Sequence, residues 1–100
     1  MSEAIPLPSY RPGTRVRIRA DDHPGHHRTP LYLKGQRGVV VRHVSTDRNP
    51  EGLAYGKDGL PRVPIYHVRF AQAELWPDYR GPRGDVLVAD ILEHWLERAD

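Results

Sequence analysis

The chain contains no cysteine. That excludes disulfides, zinc–thiolate sites, thiol nucleophiles and cysteine-ligated clusters built from its own residues. It also lacks any apolar run near the roughly 18–20 residues that cross a bilayer as a helix. The opening MSEAIPLPSY has neither the charged start nor the apolar stretch of a secretory signal, so the expectation is a soluble cytoplasmic protein. Large apolar residues are scarce: one Phe, one Met and two Trp in 100 residues, with 38% hydrophobic overall. Such a chain makes one small domain with a thin core, and burial against a partner would be a useful source of stability. Nucleophile motifs are missing too. Ser2, Ser9 and Ser45 have no supporting pattern, and a Gly-rich phosphate loop is absent. Taken alone, the chain does not read as a complete enzyme.

What is present is charge, unevenly spread. The formal net charge is only +2, yet residues 11–42 carry eight Lys/Arg against two Asp, while residues 71–100 carry three against seven Asp/Glu. A basic half and an acidic half point to complementary docking surfaces or an anion-facing patch. Solvated faces with chance segregation are the plain alternative.

Pro6, Pro8, Pro12 and Gly13 mark residues 1–13 as an extended arm, and residues 14–100 as the folded domain. Thr14–Arg19 alternates, with Val16 and Ile18 on one face and Arg15, Arg17 and Arg19 on the other, as a half-buried strand does. A loop over 20–37 leads to a strand over Gly38–Val44, where Gly38 suits a tight turn feeding Val39-Val40-Val41. Residues 45–64, rich in Asp, Asn, Gly and Pro, read as a second loop. Ile65–Phe70 is a strand with Tyr66, Val68 and Phe70 facing in and His67 and Arg69 facing out. Residues 71–76 form one helical turn that sets Leu75 and Trp76 over the barrel end, and Pro77 stops it. Val86–Ala89 is a further strand. The tail ILEHWLER fits either a short helix or a turn followed by a fifth strand. Four or five short strands with long loops predict an all-β, SH3-like barrel. Val16, Ile18, Val39, Val41, Val68, Phe70 and Trp76 are its expected core or near-core.

The histidines of HPGHH (His23, His26, His27) invite a metal reading, but only Asp21 and Asp22 stand nearby to complete a ligand set, so no metal site is assigned. Hydrogen bonds across an interface suit these histidines better. Glu93 and Glu97 share a face if the tail is helical, and then read as solvated. An RNA-binding barrel would use Arg15, Arg17, Arg19, Lys34, Arg37 and Arg42 on phosphates. Aromatics do not interleave with these residues as a stacking platform requires, and the acidic C-terminal third opposes such a role.

Three ordered segments carry a resemblance over about residues 10–98. They are PGTRVRI, then GHHRTPLYLKGQRGVVVRH, then PIYHVRFAQAELW with VLVADILEHWLE. Together they resemble the C-terminal, SH3-like half of the nitrile hydratase β subunit. The family pattern H-x-R-x-P-x-Y-x-R-G-x-x-G-x-V falls on His26, Arg28, Pro30, Tyr32, Lys34, Gly35, Gly38 and Val40. The pattern Y-x-V-R-F-x-x-x-E-L-W falls on Tyr66, Val68, Arg69, Phe70, Glu74, Leu75 and Trp76.

The resemblance implies a subunit of an enzyme that hydrates nitriles to amides. The non-haem iron or non-corrin cobalt would lie in a partner α subunit, on a claw of oxidised cysteines that this chain lacks. Positive donors are needed to hold such oxyanions. By position the family's donor arginine falls on Lys34, a point donor without the planar fork of Arg. Arg28 and Arg37 are its possible substitutes, and His26, His27, Tyr32, Arg69 and Trp76 are expected at the interface. The helical N-terminal half of the usual β subunit has no counterpart here, so the expectation is a detached C-terminal half, as in thiocyanate hydrolase or three-subunit nitrile hydratases. The partners would be the α subunit and a separate chain equivalent to the β N-terminal half. A thiocyanate-hydrolase-like subunit, an activator protein, an RNA-binding barrel and an independent interaction module remain alternatives.

Overall fold

The computed structural model describes residues 7–20, 33–54 and 56–99. Five strands, β1 (Arg15–Ile18), β2 (Arg37–Asp47), β3 (Val63–Ala71), β4 (Val86–Leu92) and β5 (Leu96–Arg98), form one antiparallel sheet in the order β4-β3-β2-β1-β5. Two one-turn helices, α1 (Pro50–Leu53) and α2 (Gln72–Leu75), follow β2 and β3, and a 3-10 turn (Glu93–Trp95) joins β4 to β5. The architecture is the small all-β, SH3-like one.

The alternating strands fold as their patterns dictate. In β1, Val16 and Ile18 are buried and the arginines exposed; in β3, Tyr66, Val68 and Phe70 are buried while Arg69 is exposed. Leu33, Val40, Ile91, Trp95 and Leu96 complete the centre of the core. Each large apolar side chain so buried contributes about 1.5–3 kcal/mol.

Strand β2 departs from expectation. Val40 is buried, whereas Val39 is only half-buried and Val41 is 40% exposed. Three consecutive valines carry no alternation, so the face is chosen elsewhere, at Gly38. A Cβ on Gly38 would lie 2.8 Å from both the Arg69 carbonyl oxygen and Val68 Cγ1, and 3.0 Å from Phe70 Cδ1. Gly38 therefore occupies an inward position that only a residue without a side chain can fill, and Val40 follows two residues on. Gly38 lies within the strand, not in a turn; in the turn before it the left-handed residue is Gly35, at φ +80°. Register shifts between Val40 and Arg42 and between His43 and Ser45 then reset the alternation further along β2.

Other boundaries move as well. Strand β2 runs on to Asp47, α1 interrupts the expected loop, and β3 starts at Val63. Strand β4 continues past Ala89 to Leu92, and the tail resolves as a 3-10 turn followed by a strand. Trp76 is not near-core: the four-residue α2 ends at an extended Trp76 (φ −121°, ψ 118°), which buries Leu75 and leaves Trp76 38% exposed.

Candidate functional site

Lys34 is carried by a turn stitched to the end of β1. Ile18 N donates to Gln36 O (2.9 Å), Gly35 N donates to Ile18 O (2.8 Å), and Gln36 N donates to Leu33 O (3.0 Å). Leu33 is fully buried, so the turn is anchored from below while Lys34 remains partly exposed. The Lys34 Nζ stands 4.7 Å from the centroid of the Trp95 ring. A cation at that distance is attracted by the negative face of the ring, by about 0.5–2 kcal/mol depending on desolvation.

At the edge of the ring lies a buried carboxylate. Trp95 Nε1 donates to Glu51 Oε2 at 2.9 Å, and His94 Nε2 lies 2.7 Å from Glu51 Oε1. Glu51 is 8% exposed, the one charged residue among the described residues counted as buried. It is held there by α1, whose cap is read directly from Asn49-Pro50-Glu51: the Asn49 side chain accepts from Glu51 N at 3.0 Å, and Pro50 occupies the first helical position. Glu51, His94 and Trp95 are thus site residues that the sequence reading passed over, although the Asn-Pro-Glu cap was legible.

A second network fastens the N-terminal arm. The buried Tyr66 hydroxyl donates to Glu93 Oε2 and accepts from Ser9 N (2.8 Å) and Tyr10 N (3.3 Å). Ser9 Oγ donates to Glu93 Oε1 at 3.1 Å, and Tyr10 Oη donates to Leu96 O at 3.3 Å. Burial, then the bond to Glu93, pushes the Tyr66 phenol up to about 12. Glu93 and Glu97 therefore do not form a solvated helical face: Glu97 pairs with Arg17 at 2.7 Å across β5 and β1.

Two concavities flank these networks. One, of about 600 Å³, is lined by Tyr10, Arg19, Arg62, Glu93 and His94 among others. The other, of about 360 Å³, lies on the outer face of the sheet under Arg15, Arg37 and Arg69. Arg37 and Arg69 thus come together, and Lys34 does not line their depression. Arg28, Tyr32, His26 and His27 lie outside the described residues, as does His23. Among the described residues, no group of three or more His, Asp or Glu could hold a metal ion.

Residues 2–98 match the family model described as nitrile hydratase beta subunit, C-terminal. The chain belongs to that family. Nitrile hydratase subunit beta of Rhodococcus erythropolis is 35% identical over 104 residues, covering 98% of this chain and 48% of the relative. Thiocyanate hydrolase subunit alpha of Thiobacillus thioparus is 34% identical over 91 residues, covering 90% of this chain and 71% of the relative. The solved recombinant apo-enzyme of that thiocyanate hydrolase superposes with a TM-score of 0.88 at 31% identity, over 97% of this chain and 82% of its own. The chain spans about half the length of the Rhodococcus nitrile hydratase β subunit.

As a nitrile hydratase β C-terminal domain, the barrel belongs to a family of enzyme-complex subunits. It offers a partly exposed ammonium held by a ring, and three exposed guanidinium groups on another face. Neither arrangement contains a nucleophile. No described helix is long and apolar enough to cross a membrane.

Proposed function

We propose that this chain is the small, non-metal subunit of a heteromeric, cytoplasmic nitrile hydratase that converts nitriles to amides. In this reading it caps the metal site of an α subunit and completes the assembly with a separate chain equivalent to the β N-terminal half. The family match over residues 2–98 carries the reading. The described residues do not fit a metal, and the absence of cysteine denies this chain a thiolate claw. In this reading cobalt or iron belongs to the partner, where it would supply Lewis-acid chemistry.

What this chain supplies is a positive donor. The Lys34 ammonium carries three N–H donors, and from its seat over the Trp95 face it would donate to an anionic oxygen across an interface. The Gly35 turn and the Glu51–Trp95 bond restrict where that ammonium can sit, which lowers the ordering cost of the contact. Arg28 and Arg37 are the substitutes should Lys34 not reach. His26, His27, Tyr32, Arg69 and Trp76 are proposed interface residues.

The test is reconstitution with a metal-loaded α-type subunit and the β N-terminal chain. Lys34→Ala is expected to reduce turnover at least tenfold while the complex still assembles, and Lys34→Arg to restore most of it. A thiocyanate-hydrolase-type subunit is the second reading, favoured by the superposition at TM-score 0.88. Assaying the same complex with thiocyanate and with a simple nitrile separates the two.

A further inference from the structure

We propose that the depression under Arg15, Arg37 and Arg69 is the seat for an acidic side chain of the metal-bearing partner subunit. The inference rests on the subunit reading above and adds the surface that would make the contact.

The strand register builds the seat. Arg15 pairs with Val39, and Val39 pairs with Arg69, so one cross-strand row carries two arginines around a valine. Arg37, two residues before Val39 on β2, adds a third guanidinium on the same face. Arg17, opposite Arg37, is already taken by Glu97 at 2.7 Å. The side chains of Arg15, Arg37 and Arg69 make no ion pair among the described residues, and all three are exposed. Among the described residues, Glu74 is the only carboxylate of the lining, against three arginines. Like charges gathered on one small face repel unless an anion joins them.

The floor indicates the kind of anion. It is made of small or apolar residues, Gly38, Val39, Ala71 and Ala99, with Val86 at the edge. Val86 and Val88 stand beside it on β4, 50% and 51% exposed. A carboxylate entering among the guanidinium groups would accept forked hydrogen bonds, while its apolar neighbours cover the two valines. A polyphosphate backbone would leave the exposed Val86 and Val88 bare. A second copy placed with this face on a two-fold axis would set arginine against arginine. An acidic protein segment satisfies the charge, the floor and the flank together.

The experiment is a titration of the α-type subunit with the wild-type chain, the triple variant Arg15→Gln/Arg37→Gln/Arg69→Gln, Val88→Asp, and Lys57→Gln as a remote control. Each variant is first checked for unchanged folding by denaturation. The triple variant and Val88→Asp are each expected to weaken association at least tenfold, and the triple variant to flatten its salt dependence; Lys57→Gln should match wild type. Wild-type association of both test variants would overturn the seat and leave the subunit reading standing. Failure of the wild-type chain itself to associate at any salt would overturn both. Retention on a single-stranded RNA oligonucleotide that the triple variant abolishes, or a wild-type homodimer that the triple variant dissociates, would overturn the acidic partner segment in favour of those occupants.

Discussion

Two positively charged regions among the described residues are held in opposite ways. Lys34 is tethered: its turn is sewn to β1, its ammonium rests over Trp95, and the ring is fixed by a buried carboxylate. Arg15, Arg37 and Arg69 stand on the sheet with no ion pair among the described residues to fix their heads. A tethered cation offers one geometry and little adaptability, as suits a donor aimed at a single anionic atom. Untethered arginines adapt their forks to whatever carboxylate arrives, as suits docking. Trp95 serves both as core residue and as the platform under Lys34.

Breaking the tether at its platform should have the largest effect. Trp95→Ala removes a buried ring and leaves Glu51 short of a donor, so a loss of about 3–5 kcal/mol is expected by urea denaturation. Gly38→Ala comes next, because its Cβ would meet the Arg69 carbonyl and Val68 at 2.8 Å; the overpacking should cost about 1–3 kcal/mol. It deforms the floor of the arginine seat while sparing the tether, and so separates the two regions. Glu51→Gln keeps an acceptor for the indole N–H but removes the buried charge, with an expected loss of about 1 kcal/mol. Removing the three arginines together, by contrast, should change stability by less than about 0.5 kcal/mol per site. If that substitution proved as costly as Trp95→Ala, the contrast between tethered and untethered cations would fail.

The arm supplies a pH test of the same framework. Tyr66 is raised to about 12 by burial and by Glu93, from 10.0 when unperturbed. Its neutral form is favoured in the folded state, so its contribution is fully present below pH 10. The contribution is lost as pH rises from 10 to 12, where only the unfolded state ionises readily. Stability followed by denaturation should therefore fall over that window in the wild type and fall less in Tyr66→Phe.

Strands β1 and β3 were legible because VRI and YHVRF alternate, and the burial of those residues follows the alternation. Strand β2 was not, since VVV alternates nothing and its face is decided by how closely Gly38 approaches Arg69 and Phe70. Trp76 misled through its size: a one-turn helix buries one large residue, and the turn chose Leu75. Lys34 stood out from its place in the family pattern. Its platform did not, because Glu51 meets Trp95 across 44 residues of sequence and looked like any loop charge. The arginine seat likewise required strand order. Nothing in the spacing of Arg15, Arg37 and Arg69 puts them on one face until β1, β2 and β3 pair.

The most direct test of the central claim is nitrile turnover by the reconstituted complex carrying Lys34→Ala, measured beside the wild type at equal metal content and equal assembly. A fall of at least tenfold, largely reversed by Lys34→Arg, is the result this account predicts. Turnover equal to wild type in a fully assembled, fully metallated complex would contradict it and remove Lys34 from the site.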